Sequence, residues 1–284
     1  KIWHVMFFAF MLGMANAIDA PVRQSFNVEV VGKEDLPNAV GLNSANFNTG
    51  RLIGPGLSGV LIASYGTGVS FLLNGISYLF VITALFSLRE EELHIEKIER
   101  TSIKIREALD YVKARPDILA VMITVFFATS FCLNFNIFNT LMATKVFNKG
   151  AAQYGALGSI LAIGSLSGAL ISARLERKRG PRFIMVGAMV LSSLLMAASF
   201  APSYTVYSIF LPLIGCTALL TFIGANTMVQ TRTDPAIRGR VMGIYLTVFL
   251  GGTPLVSPVI GWMTEAIGTR LTITICASIS DRKS

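Results

Sequence analysis

The chain has 284 residues, 53% hydrophobic and only 14% charged, with a mean hydropathy of +0.62, a balance far from that of a soluble domain. Its net charge of +8 would suit nucleic acid, but the lysines and arginines fall between hydrophobic runs rather than on one polar face, so no nucleic-acid partner is expected. What remains is an all-α integral membrane protein with the lipid bilayer as its surroundings.

Helices of about 17 to 25 apolar residues cross a bilayer, and the sequence predicts eight: 2–20, 39–65, 68–88, 118–141, 154–175, 183–200, 204–228 and 241–263. The first starts at Lys1, carries Asp19 at its far end and is followed by more spans, so it reads as a true span rather than a cleaved leader. A last apolar run, 271–279, would reach only about 14 Å as a helix and cannot cross alone. Trp3, Tyr65 and Trp262 sit near span ends as interfacial anchors.

Seventeen lysines and arginines fall in the loops after the first, third, fifth and seventh spans; the other loops hold three, Lys145, Lys149 and Arg270. The positive-inside rule therefore puts the first set of loops in the cytoplasm, and a cell membrane is the expected location, a bacterial inner membrane being what the resemblance given below implies. The longest polar connection, 89–117, divides the chain into 1–88 and 118–284. Within it Ile98, Ile105, Leu109 and Val112 recur at helical spacing among charges, which predicts an amphipathic helix on the cytoplasmic membrane surface.

Catalysis has no visible basis. Cys132, Cys216 and Cys276 stand apart in apolar runs and read as small hydrophobes. His4 and His94 are whole segments apart, so no metal site is expected. No grouping of nucleophile, base and orienting residue appears, and no bound cofactor is expected.

The densest signal is GLNSANFNTGRLIGPGLSG, residues 41–59. Gly50, Gly54 and Ser58 recur every four residues, a small-residue strip on which another backbone can approach closely, and Pro55 predicts a kink. Arg51 is a strongly basic residue well inside a span, where charge marks function by default, the alternative being that it snorkels or bonds a carbonyl freed by Pro55. Asp19, near a span interior, stands four residues before Arg23, and a local pair is its simpler account. Asn134, Asn136, Asn139, Thr217, Thr221 and Asn226 are candidates for lining a central cavity, or for hydrogen bonds between helices. Gly164, Gly168 and Ser172 read as a packing strip.

A long-range echo is also present. Residues 24–70 and 230–272 share a glutamine at a helix end, a charged loop and a small-residue span with a late proline, so Pro55 and Pro258 correspond, the weak half-to-half symmetry of repeat-built transporters. Matching the halves numbers the visible spans as helices four to eleven of twelve, with three expected before Lys1 and the final run as a stub of the twelfth.

These residues carry a resemblance. The sequence resembles the major facilitator superfamily, and within it bacterial multidrug and siderophore exporters of the enterobactin-exporter type. Gly41, Gly50, Gly54, Pro55 and Gly59 fall on the antiporter motif of that family's fifth helix, with Ser58 in place of one glycine. DAPVRQSFNVEVV, EDLPNAVGLN, IREALDYVKARP and DPAIRGRVMGIY are similar to the same subgroup. ARLERKRGPR resembles a degraded cytoplasmic gating loop, matched at Glu176, Arg177, Gly180 and Arg182, with Arg179 inserted and Pro181 where an arginine is usual. The resemblance implies a helical bundle of two pseudo-symmetric halves and a monomeric secondary transporter. It would export amphipathic small molecules of drug or siderophore type by alternating access, driven by the proton gradient. The alternative is a non-transporting membrane protein, either a pseudotransporter partner or an inactive remnant.

Overall fold

The computed structural model describes residues 2–89, 93, 105–174, 180–234 and 237–281, and for many residues between 16 and 55 the backbone alone. The described residues are almost wholly helical. The helices are α1 (Ile2–Phe86), α2 (Ile105–Ala114), α3 (Pro116–Phe127), α4 (Phe135–Leu141), α5 (Ala151–Arg174), α6 (Pro181–Ser199), α7 (Tyr204–Arg232), α8 (Arg238–Ile267) and α9 (Thr269–Asp281). They fall into two compact units, one of Lys1–Thr49 and Phe71–Thr101, the other of Gly50–Ser70 and Ser102–Ser284.

In the first unit, Asp19 and Phe26 share a cavity of about 730 Å³ with Asn74, Ser77, Tyr78, Val81 and Leu85. On a straight rod the two groups would stand on the order of 70 Å apart, so the chain turns back between them. Helical assignment nonetheless continues through α1, where three separate spans over 2–20, 39–65 and 68–88 were expected. Hydropathy marks which residues suit lipid, whereas a helix satisfies its own backbone whatever the polarity of its side chains. The break expected after Tyr65 survives only as Gly66, whose φ of 79° is readily reached without a Cβ.

Helices α3 to α9 form a bundle around two buried apolar clusters. One gathers Phe138, Met142, Leu157, Leu191, Leu195, Tyr207 and Leu211. The other holds Ile118, Val121, Ile184, Met228, Val229, Val241 and Tyr245, together with Ala108 and Val112 of α2. Local chemistry sets several helix starts: Pro116 and Pro181 occupy first turns, where a missing N–H costs nothing, and the Ser203 side chain accepts from the Val206 N–H at the start of α7. Among the described residues six helical stretches are long and apolar enough to span a membrane: Gly56–Phe86, Pro116–Val146, Ala151–Ser172, Pro181–Ser199, Tyr204–Arg232 and Arg238–Ile267. Their exposed faces carry Ile163, Leu170, Val186, Leu213, Leu250 and Val259, which suits lipid.

Two expectations meet the structure here. The helix of the central connection, α2, packs on the bundle, and Ile98 lies outside the described residues. Its Ala108 and Val112 face is buried on the bundle, among apolar side chains of α3, α7 and α8, while Ile105 and Leu109 are exposed. The span expected at 118–141 is not one helix. It runs from α3 into a π-turn at Ala128–Cys132, breaks at Leu133 and Asn134, resumes as α4 and ends in a second π-turn, Met142–Val146.

Candidate functional site

The glycine-dense stretch makes its close contact one register away from the expected strip. A Cβ built at Gly56 would stand 2.9 Å from Ser159 Oγ; one at Gly59 would stand 2.8 Å from the Ala151 carbonyl and 3.0 Å from Gly155 Cα. Gly56 and Gly59 thus meet the Ala151, Gly155 and Ser159 face of α5, small residue on small residue, in antiparallel order. At Gly50 and Gly54 an added Cβ meets nothing within 4 Å, and Ser58 is exposed. Gly41, Arg51 and Pro55 belong to the helical backbone of α1, and their side-chain surroundings lie outside the described residues.

The broken helix explains one of the candidate polar residues. Backbone groups freed in a membrane must find partners, and here side chains supply them. Asn134 donates from Nδ2 to the Ser130 carbonyl at 2.7 Å and accepts from Ser257 Oγ at 3.0 Å. The Thr253 hydroxyl donates to the Thr129 carbonyl at 3.4 Å. Gly252 lets α8 close on this turn, since a Cβ there would run into Ser130 Oγ.

Tyr207 donates to Asn139 Oδ1 at 2.8 Å, both side chains being buried. Thr221 is buried, packed where Gly187 of α6 leaves room. Asn136 is exposed and Thr217 half-buried. Asn226 lines a cavity of about 250 Å³ between α7 and α8, with Leu219, Phe222, Ile223, Tyr245, Leu246 and Phe249. Of the six candidates, Asn226 is the one in the wall of this cavity. Removing a hydrogen bond between membrane helices costs about 1 kcal/mol, so Tyr207→Phe is expected to lower the unfolding midpoint in detergent modestly. An unchanged midpoint would show that Asn139 is satisfied in another way.

Of the residues matched to the gating loop, Gly180 caps the start of α6 in an extended conformation and Arg182 is exposed in its first turn; Glu176 and Arg177 lie outside the described residues. Asp19 is exposed on the wall of the first unit's cavity, and the side chain of Arg23 lies outside the described residues.

A cluster that the sequence did not disclose ties α2 to the end of α7. Arg115 grips Asp117 through Nε at 3.1 Å and Nη2 at 3.0 Å, and Arg232 Nη1 reaches the same carboxylate at 3.2 Å. Tyr111 accepts from Arg115 Nη1 and from the Asp234 N–H, each at 3.3 Å. The hydrogen bond and charge of Asp117 raise the Arg115 pKa above its ordinary value. The two guanidinium groups are about four-tenths exposed, where solvent screens an ion pair strongly. The cluster therefore sets the position of α2 more than it stabilises the bundle. Its only local signal was the Arg115 and Asp117 spacing, since Arg232 is remote in sequence.

Several apolar spanning helices, a glycine contact between two of them and buried polar pairs across the bundle define a multi-pass helical membrane protein. The chain belongs to the transmembrane secretion effector family of the major facilitator superfamily, whose family model matches residues 1–280. It is 22% identical over 275 residues to the staphyloferrin A transporter of Staphylococcus aureus (strain NCTC 8325 / PS 47), covering 95% of this chain and 68% of that protein. It is 25% identical over 253 residues to the enterobactin exporter EntS of Salmonella choleraesuis (strain SC-B67), covering 88% of this chain and 59% of that protein. The match to enterobactin exporter EntS of Shigella flexneri is 24% over 253 residues, 88% of this chain and 58% of that protein. The chain thus spans about three-fifths to two-thirds of the length of these relatives.

Proposed function

We propose that the chain is a secondary active transporter, a proton-coupled exporter of amphipathic small molecules of siderophore or drug type, working by alternating access as a monomer without a bound cofactor. The observation that carries this reading is the contact of Gly56 and Gly59 with α5. Two helices that meet through glycines and small side chains have few interlocking groups, so one can slide or rock on the other without repacking large residues. Similarity to a staphyloferrin A transporter and to an enterobactin exporter supports the substrate class. The cavity holding Asn226 has Phe222, Tyr245 and Phe249 in its wall, the mix of aromatic and polar groups that lines small-molecule sites. Asp19, a carboxylate on a cavity wall, is the proposed proton carrier.

The chain reconstituted in liposomes, with enterobactin and staphyloferrin A as probes, tests this reading. A pH gradient acidic inside is expected to drive accumulation of at least one probe, and a protonophore to stop it. Asp19→Asn is expected to keep downhill exchange and lose the gradient-driven part. Accumulation indifferent to the gradient would overturn proton coupling.

A further inference from the structure

Lys145, Lys149 and Arg270 are the three loop cations that fall on the side opposite the cytoplasmic set, where topology calls for none. Lys145 and Arg270 line a single pocket of about 370 Å³, together with Thr264, Gly268, Thr269 and Leu271. Lys145 is exposed on the π-turn that ends the span begun by α3. Arg270 is half-buried and uses Nη1 and Nη2 on the Ser199 and Ala201 carbonyls, at 3.0 and 2.8 Å; a guanidinium has five N–H groups, so three remain.

The same wall is the start of α9. The first turn of a helix leaves N–H groups without intrahelical partners, and those of Thr269, Arg270 and Leu271 precede the first backbone bond back along the chain, from Thr272 N to Gly268 O. Thr269 is 7% exposed, yet its hydroxyl bonds none of the described residues. Thr269 itself lines the pocket. None of the lining residues named is acidic. Two cations, a free hydroxyl and a positive helix end therefore converge on one concavity.

We propose that this pocket is an anion site on the outer face, taking a carboxylate or phosphate group. Its role as a release site for an anionic substituent of the transported molecule rests on the transport reading, whereas anion binding itself does not. An anion arriving there exchanges water for fixed donors, and one leaving enters the outer aqueous phase directly.

Calorimetric titration of the detergent-purified chain with citrate and with inorganic phosphate tests the site without any gradient. Saturable binding that weakens roughly tenfold in Lys145→Ala with Thr269→Val, the loss expected for charged hydrogen bonds, and that falls with added chloride, supports the proposal. Lys145 is exposed and Thr269→Val preserves shape, so the variant is expected to fold; an unfolding midpoint near that of the parent confirms it. A second arm compares nanodiscs of phosphatidylglycerol with nanodiscs of phosphatidylcholine. Stabilisation by the anionic lipid alone, lost in the variant, keeps the anion site and assigns its ligand to a headgroup. No binding in either arm, or binding unchanged in the variant, overturns it. A chain that binds citrate yet transports nothing refutes the transport reading and leaves the site standing. A chain that transports but binds no anion refutes the site alone.

Discussion

Gly168→Leu is expected to prevent stable folding of the bundle. At Gly168 an added Cβ would run into the backbone of Cys216, and at Gly164 into the backbone of Pro212, while from the other side Gly215 is closed by the Leu161 carbonyl. These glycines sit four apart on α5 and cross α7 at backbone contact, so no rotamer change can make room. Overpacking costs about 1–3 kcal/mol where side chains can shift, and here whole helices must separate, which places the cost at or beyond that range. The measurement is the unfolding midpoint in detergent and the amount of chain in membranes. Ile163→Leu, at a residue 56% exposed to the lipid side, is the control and should match the parent. A Gly168→Leu chain with the parent's midpoint would show that α5 and α7 are not held at backbone distance.

Gly59→Leu is expected to abolish transport while sparing much of the bundle. Gly59 is buried against the Ala151 carbonyl and Gly155, whereas Gly54 has open space where a Cβ would go. A leucine at 59 must push α1 away from α5, whereas a Cβ at 54 meets nothing within 4 Å. Transport into liposomes should therefore vanish in Gly59→Leu and persist in Gly54→Leu at equal membrane abundance. Equal loss in both would return the close-packed strip to the register of Gly50, Gly54 and Ser58.

That register is where sequence reasoning reached its limit. The motif spacing identified the right stretch, but which of several glycines touches a neighbour depends on how the partner helix is rotated, and Gly155 and Ser159 carry no mark of it locally. Spans α5 to α8 were legible to within about four residues, because apolar runs bounded by charge are a direct statement of membrane depth. The break at Leu133 and Asn134 was not. Asn134 stood out as a polar residue in an apolar span, yet its partner Ser257 lies far along the chain, and only folding brings the two together. The same holds for Arg232 with Asp117. The central helix showed its amphipathic period but not its target, since Val112 buries equally well against lipid or against Val241 when read from sequence alone.

The proposal that α1 and α5 move on one another is tested most directly by tying them together. Cysteines placed at Gly56 and Ser159, with Cys132, Cys216 and Cys276 replaced by alanine, put two thiols at a contact where a Cβ and Ser159 Oγ would be 2.9 Å apart. Oxidation is expected to form the cross-link and stop gradient-driven transport of enterobactin or staphyloferrin A, and reduction to restore it. Undiminished transport by a fully cross-linked chain would contradict the account.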